Sequence, residues 1–304
     1  MKNRALKRAP VTIIKSLLLL SFAFLLANCS QQHDSETAKS GNMTLAFDRQ
    51  LEDIAGSQAE TFSRYYPEAR ISLMPAASAK SLKYLLDGKV NAALISGEPE
   101  EGEKTLFAAL KRPIRLEPVA LDAIVCIVNR RNPAVMLSTK ELGVLFSARG
   151  QQEMTPLVTA DDFRLLSVLA AKTGKKRAEL HPWACNSDQE LIDRVSADKR
   201  AVGLLFRSSL YRALPLAPKQ EKKASNIRIV PLAREGTGAE PYLPTQQLIF
   251  DGRYPLAATV YYVYYQGDAL AAGFGSWLGS AGQKAFERSS LAPYRLVERT
   301  IILK

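Results

Sequence analysis

From Met43 the apolar residues switch repeatedly between a spacing of two and a spacing of three to four, the mark of strands alternating with helices. The stretch 44–47 reads as a short strand. Leu51, Ile54, Ala55, Phe62 and Tyr65 then share one face of a helix over 51–66, which Pro67 ends. A second strand is predicted at 69–74. Ser78 opens a helix to Asp87 with Leu82, Leu85 and Leu86 inward and Gly88 at its end, and 90–95 reads as a third strand. This βαβαβ order predicts a largely parallel sheet with helices on its faces.

Three helix starts of capping-box character follow, at Ser138-Thr139-Lys140-Glu141, Thr159-Ala160-Asp161-Asp162 and Ser187-Asp188-Gln189-Glu190. Strands are predicted between and after them at 124–129, 156–158, 201–206 and 227–231. The last third adds an aromatic strand over 257–265 and a helix over 269–289 carrying Leu270, Phe274, Trp277 and Phe286. No internal repeat interrupts this α/β pattern.

The N-terminus reads differently. Lys2, Arg4, Lys7, Arg8 and Lys15 precede an apolar run over 17–27, the order of an export signal, and that run is shorter than the roughly 20 residues a membrane-spanning helix needs. Leu26-Ala27-Asn28-Cys29 resembles the bacterial lipobox, which implies lipidation at Cys29 and a membrane anchor. The other reading is an ordinary secretory signal with Cys29 incidental. Either way, 1–28 is expected to be removed outside the cytoplasm, and the polar stretch 29–42 to be a flexible tether.

Removing that signal changes the charge. The chain carries 41 basic and 30 acidic residues, and 41 − 5 = 36 basic residues remain, a balance of +6. No basic stripe accompanies it, so no nucleic-acid partner is expected. Cys126 lies in the apolar run 123–128 and reads as a small buried hydrophobe, so it is not expected to pair with Cys185. With two histidines, one of them in the tether, no metal or cofactor is expected. The chain has no G-x-S-x-G elbow, P-loop or H-E-x-x-H, and an enzyme is not expected.

Several strings appear together in order. Pro118, Ala120, Asp122, Val128 and Asn129 lead to Asn132-Pro133, then to Leu137-Ser138-Thr139-Lys140-Glu141-Leu142 and Leu145-Phe146. Gly88-Lys89-Val90-Asn91-Ala92-Ala93-Leu94-Ile95-Ser96 precedes them, and Gly252-Arg253-Tyr254-Pro255-Leu256 and Ser280-Ala281-Gly282-Gln283-Lys284 follow. Over about 43–296 this resembles the phosphate-binding proteins of bacterial phosphate ABC transporters. The resemblance implies a two-lobed type II periplasmic binding fold with a ligand cleft between the lobes. It places the first crossing near Ala120-Leu121-Asp122 and the return over 232–238. Lobe one would then comprise 43–120 and 238–304, and lobe two 121–237.

An oxyanion can be held by backbone N–H groups at helix N-termini together with hydroxyl donors. The candidates in the expected places are Asp48, Arg49 and Gln50 before the first helix, Ser78 before the second, Ser96 after the third strand, and Thr159 in the other lobe. Each has a second reading. Ser78 and Thr159 are suited to capping their helices alone, and Arg49 and Ser96 to solvated loops. Arg164, one turn into a helix, is a further source of positive charge.

The ligand loops also depart from the family. Phe47-Asp48-Arg49-Gln50 stands where a Gly-Ser-Thr turn is usual, and Pro75-Ala76-Ala77-Ser78 where a glycine-rich loop is usual. Asn91 replaces the family's aspartate, and Thr159-Ala160-Asp161-Asp162 replaces an Arg-containing turn. These changes point away from phosphate while keeping the fold. Two functions are expected. The first is a lipid-anchored receptor that closes on a small solute, an oxyanion among the candidates, and delivers it to an ABC permease. The second is a lipoprotein that uses the same fold for sensing or protein interaction.

Overall fold

The computed structural model describes residues 36–150, 153–214, 226–236 and 238–296, with the side chains of Ser78 and Ala79 left aside. Cys29 and the segment before it lie outside the described residues. The contacts gather 37–304 into one unit, to which the following description is confined.

The first strand, β1 (Gly41–Asp48), is followed by a 3-10 turn over Arg49–Leu51 and helix α1 (Glu52–Tyr65). Ile54, Ala55, Gln58, Ala59 and Phe62 form the buried face of α1. Strand β2 (Ala69–Ala76), helix α2 (Ser78–Leu86) and strand β3 (Ala92–Ser96) complete the expected βαβαβ unit, with β1 parallel to both other strands. The tether expectation differs at its end. Gly41 and Asn42 already pair with Ala69 and Arg70, and the Gly41 amide donates to the Glu68 carbonyl at 3.0 Å.

Helix α3 (Glu101–Ala109) precedes β4 (Ile114–Asn129), whose first ten residues interrupt the apolar pattern with Arg115, Glu117 and Asp122 and were not predicted as strand. They extend because β11 (Ala257–Tyr265) pairs antiparallel along them, while the second half of β4 pairs with β8 (Ala201–Phe206) and β9 (Ile227–Ile229). Between these lie β5 (Leu137–Ser138), α4 (Thr139–Ser147), β6 (Thr155–Thr159), α5 (Phe163–Thr173), β7 (Trp183–Cys185), α6 (Asp188–Ala197) and, after β8, α7 (Arg207–Ala213). The ten-stranded sheet has the order β2-β1-β3-β11-β4-β8-β6-β7, with β9 and β12 (Ala292–Pro293) also on β4.

Ser138 and Ser187 cap α4 and α6 as expected, each accepting from the amide three residues on. Thr159 does not. The chain runs on to Asp162 before α5 begins, and Asp162 takes the cap position. The final helix is divided into α9 (Ala269–Leu278) and α10 (Gln283–Glu287) by a turn containing Gly279 and Gly282, preceded by the short α8 (Gln246–Phe250).

Hydrophobic packing is concentrated on each side of the β4–β11 pair. Phe47, Phe62, Phe274 and Trp277 pack with β1 and β3 on one side. Ile124, Phe146, Leu165 and Phe206 pack on the other. Ile249, Tyr254 and Leu256, expected with the first lobe, lie in this second cluster, and Tyr254 Oη donates to the Ile124 carbonyl at 2.9 Å. Strand β10 (Leu232–Ala233) pairs with β5 in a separate two-stranded sheet, and Leu232 packs in the second cluster, so the segment expected to form the return begins on that side.

Candidate functional site

The end of β1 places Asp48 beneath the start of α1 with no solvent exposure. One carboxylate oxygen accepts from Ser81 Oγ at 2.7 Å and the other from the Ser96 amide at 3.0 Å. Burial pushes the Asp48 carboxyl up to about 7, and the Arg164 guanidinium opposes that rise. Asp48 and Ser96, two predicted ligand residues, therefore meet each other and join β1, β3 and α2.

Above them a cavity of about 340 Å³ is lined by Arg49, Gln50, Thr159, Asp162, Asp188 and Arg212. Three of the candidate residues, Arg49, Gln50 and Thr159, thus line one cavity, each in a specific setting. Thr159 Oγ1 donates to Asp188 Oδ1 at 2.7 Å. The Arg49 side chain is exposed, and its carbonyl accepts from Arg212 Nη1 at 2.8 Å. Gln50 is buried, and its Nε2 has no hydrogen-bond partner. Ala77 stands at the cap position of α2, so Ser78 is its first helical residue, and the Ser78 side chain lies outside the described residues.

The second wall is acidic. Asp161, Asp162 and Asp188 line it beside Asn186 and Gln189. Asp162 is buried at the N-cap of α5 without a side-chain cap bond. Burial, then the neighbouring Asp188, Asp48, Asp122 and Asp161 charges, hold its carboxyl well above the usual range. The sequence places Asp161-Asp162 at a helix start. Its signal for a cavity wall was present in the displaced arginine turn, but burial of Asp162 comes from the fold.

Arg164 is not available to a ligand as an unpaired cation, which corrects its expected use. It is fully buried, Nη1 and Nη2 donate to the two Glu103 carboxylate oxygens at 2.7 and 2.6 Å, and Nη1 also reaches the Glu98 carbonyl at 3.1 Å. A buried guanidinium needs such a counter-charge, and the acid comes from α3. Nearby, Ser167 Oγ donates to Glu100 Oε1 at 2.6 Å and Arg177 Nε to the same oxygen at 3.0 Å. On the opposite side, Arg212 Nη1 meets Glu52 Oε2 at 2.7 Å.

Asp122 sits in β4 at the junction. Its Oδ1 accepts from the Ala123 amide at 2.7 Å, and its Oδ2 from Ser208 Oγ. Burial raises its carboxyl to about 6. Asn91 has a structural place away from the cavity: its Oδ1 accepts from the Thr44 amide and its Nδ2 donates to Asp268 Oδ2, both at 2.9 Å.

A wider groove of about 980 Å³ adjoins the cavity through Gln50 and Arg212 and runs past Gln58, Tyr65, Trp277 and Lys284. Cys126 and Cys185 are both free and buried, and burial pushes the Cys126 thiol up to about 12. Among the described residues, no group of three or more His, Cys, Asp or Glu side chains is arranged to hold a metal, and no helix is long and apolar enough to cross a membrane.

Comparison with known proteins gives a PBP superfamily domain over residues 33–281. The phosphate-binding protein PstS of Pseudomonas aeruginosa is 26% identical over 119 residues, 38% of this chain and 36% of that protein, so the match spans about a third of that relative. Protein SphX of Synechococcus elongatus is 24% identical over 276 residues, 84% of this chain and 75% of the relative. The crystal structure of an ABC-type phosphate transport receptor from Vibrio cholerae superposes with a TM-score of 0.63 at 18% identity, over 83% of this chain and 100% of that one.

Proposed function

The chain belongs to the PBP superfamily and has its phosphate-binding-protein-like type II fold, and from this premise we propose that it is a lipid-anchored extracytoplasmic solute receptor for an ABC transporter. The observation that carries the proposal is the cavity of about 340 Å³, walled by Arg49 and Gln50 after β1 and by Thr159, Asp162 and Asp188 from β6 to α6. A small polar solute bound there touches both halves of the sheet, so its binding energy favours their closed arrangement.

In this reading the hinge is the antiparallel pair formed by β4 and β11 where they pass Ala120–Ala123. The first lobe takes 43–120 and the chain from β11 onward. The second takes 121 to about 256, following the packing of Ile249, Tyr254 and Leu256 against Ile124. Cys29 carries the lipid, 1–28 is the signal, and the permease is the membrane partner. The protein acts by binding and release rather than by chemistry.

The second reading, a lipoprotein that senses or scaffolds, is favoured by one observation. Arg164 and Glu103 join α5 to α3 through protein groups alone, as a cleft held shut without ligand would require.

The test is to purify the full chain in detergent, denature it and identify released small molecules by mass spectrometry, together with thermal shift against a solute panel that includes phosphate and sulfate. The receptor reading expects one solute released near one per chain, or a stabilising solute in the panel. Neither result would leave the second reading.

A further inference from the structure

The cavity's walls make opposite demands. Asp162 is 8% exposed and stands at the N-cap of α5, yet its carboxyl makes no cap hydrogen bond. Gln50 is 9% exposed, and its Nε2 donor has no partner. Both side chains line the same cavity. A buried polar group without a partner costs free energy, so Gln50 Nε2 marks a place where a bound molecule restores what folding removed, and Asp162, not engaged in capping its helix, faces it across the cavity.

Charge gives the two places opposite sign. Asp161 and Asp188 stand on the same wall as Asp162, at the starts of α5 and α6. Arg49 accompanies Gln50, and Arg212 approaches that side with its guanidinium on Glu52 and the Arg49 carbonyl. A phosphate dianion would face the Asp161 and Asp188 carboxylates beside the buried Asp162, with Arg164 already committed to Glu103. A simple cation would leave the Gln50 amide donor and Arg49 unmatched. A molecule carrying both an ammonium and a carboxylate satisfies both walls, and a volume of about 340 Å³ admits one of amino-acid size.

We propose that this cavity binds a small zwitterion, an amino acid or close analogue, with its ammonium toward Asp161, Asp162 and Asp188 and its carboxylate toward Gln50 Nε2 and Arg49. The proposal rests on the receptor reading and narrows its solute.

Calorimetry and thermal shift on the full chain in detergent test it, using the standard L-amino acids and γ-aminobutyrate as probes. Methylammonium, acetate and inorganic phosphate serve as single-charge controls. The expected result is binding and stabilisation by at least one zwitterion and by none of the controls. Gln50→Leu and Asp162→Asn should each weaken that zwitterion about tenfold or more. Asp162→Asn keeps the shape of a side chain whose charged form burial disfavours, so this variant should fold, and its unfolding midpoint checks that it does. Phosphate binding with no zwitterion binding would overturn the proposal and leave the receptor reading standing, as would a released solute lacking either charge. Unchanged zwitterion affinity in both folded variants would overturn the assignment to this cavity. If no probe binds and no solute is released from the purified protein, the receptor reading falls and the proposal with it.

Discussion

Arg164 in α5 grips Glu103 in α3 through both guanidinium nitrogens, at 2.7 and 2.6 Å, across 61 positions of sequence. The Arg164 side chain has no solvent exposure and that of Glu103 has 20%. Removing one partner of a buried pair leaves an uncompensated charge and costs about 3–5 kcal/mol, whereas replacing both with apolar groups is often close to neutral. Glu103→Gln should therefore lower stability by about that amount in urea unfolding, and Glu103→Leu with Arg164→Met should recover most of it. A fully additive double variant would show that the two side chains do not act as a pair.

Buried carboxyls set the direction of the pH dependence. Asp48 is held at about 7 and Asp122 at about 6, and burial and its acidic neighbours also hold Asp162 well above the usual range. Between their ordinary values near 4 and these raised values, the folded state binds more protons than the unfolded chain. The resulting stability is present in full below about pH 4 and is lost as pH rises through 6 and 7. Thermal unfolding should therefore give a higher midpoint at about pH 5.5 than at about pH 8, with a free-energy difference on the order of a few kcal/mol. Asp48→Asn should flatten the profile, and an unchanged slope would remove Asp48 from the account.

Gly273 lies inside α9, where alanine ordinarily adds about 1 kcal/mol of helix stability. A Cβ there would overlap the Ala38 carbonyl. Gly273→Ala should accordingly lower unfolding stability by about 1–3 kcal/mol, or free the segment around Ala38 to proteolysis. A stabilised variant with no change in cleavage would show that the segment does not pack on α9 in solution.

Lipid attachment has its own test. Cys29→Ser should abolish incorporation of labelled fatty acid and move the protein from the membrane fraction to the soluble one. Unchanged partitioning and an N-terminus elsewhere than residue 29 would support the ordinary secretory signal instead.

The sequence by itself determined the local elements. Residue spacing gives α1, α2, β3 and β8, and serine chemistry gives the caps of α4 and α6, because propensity, periodicity and capping depend on neighbours within a few positions. Cys126 was legible as buried because its flanks are uniformly apolar. The resemblance in ordered strings carried the fold class. The first half of β4 was hidden because Arg115, Glu117 and Asp122 break the apolar pattern, and only pairing with β11 extends it. Likewise, nothing local puts Ile249 and Tyr254 beside Ile124, or ends the capping turn at Asp162 rather than Thr159. The candidate cavity was legible on one wall, where Arg49 and Gln50 follow a strand. Its acidic wall, the commitment of Arg164, the unmet Gln50 amide and the burial of Asp162 were decided by tertiary structure, since burial and counter-charge arise from residues far apart in the chain.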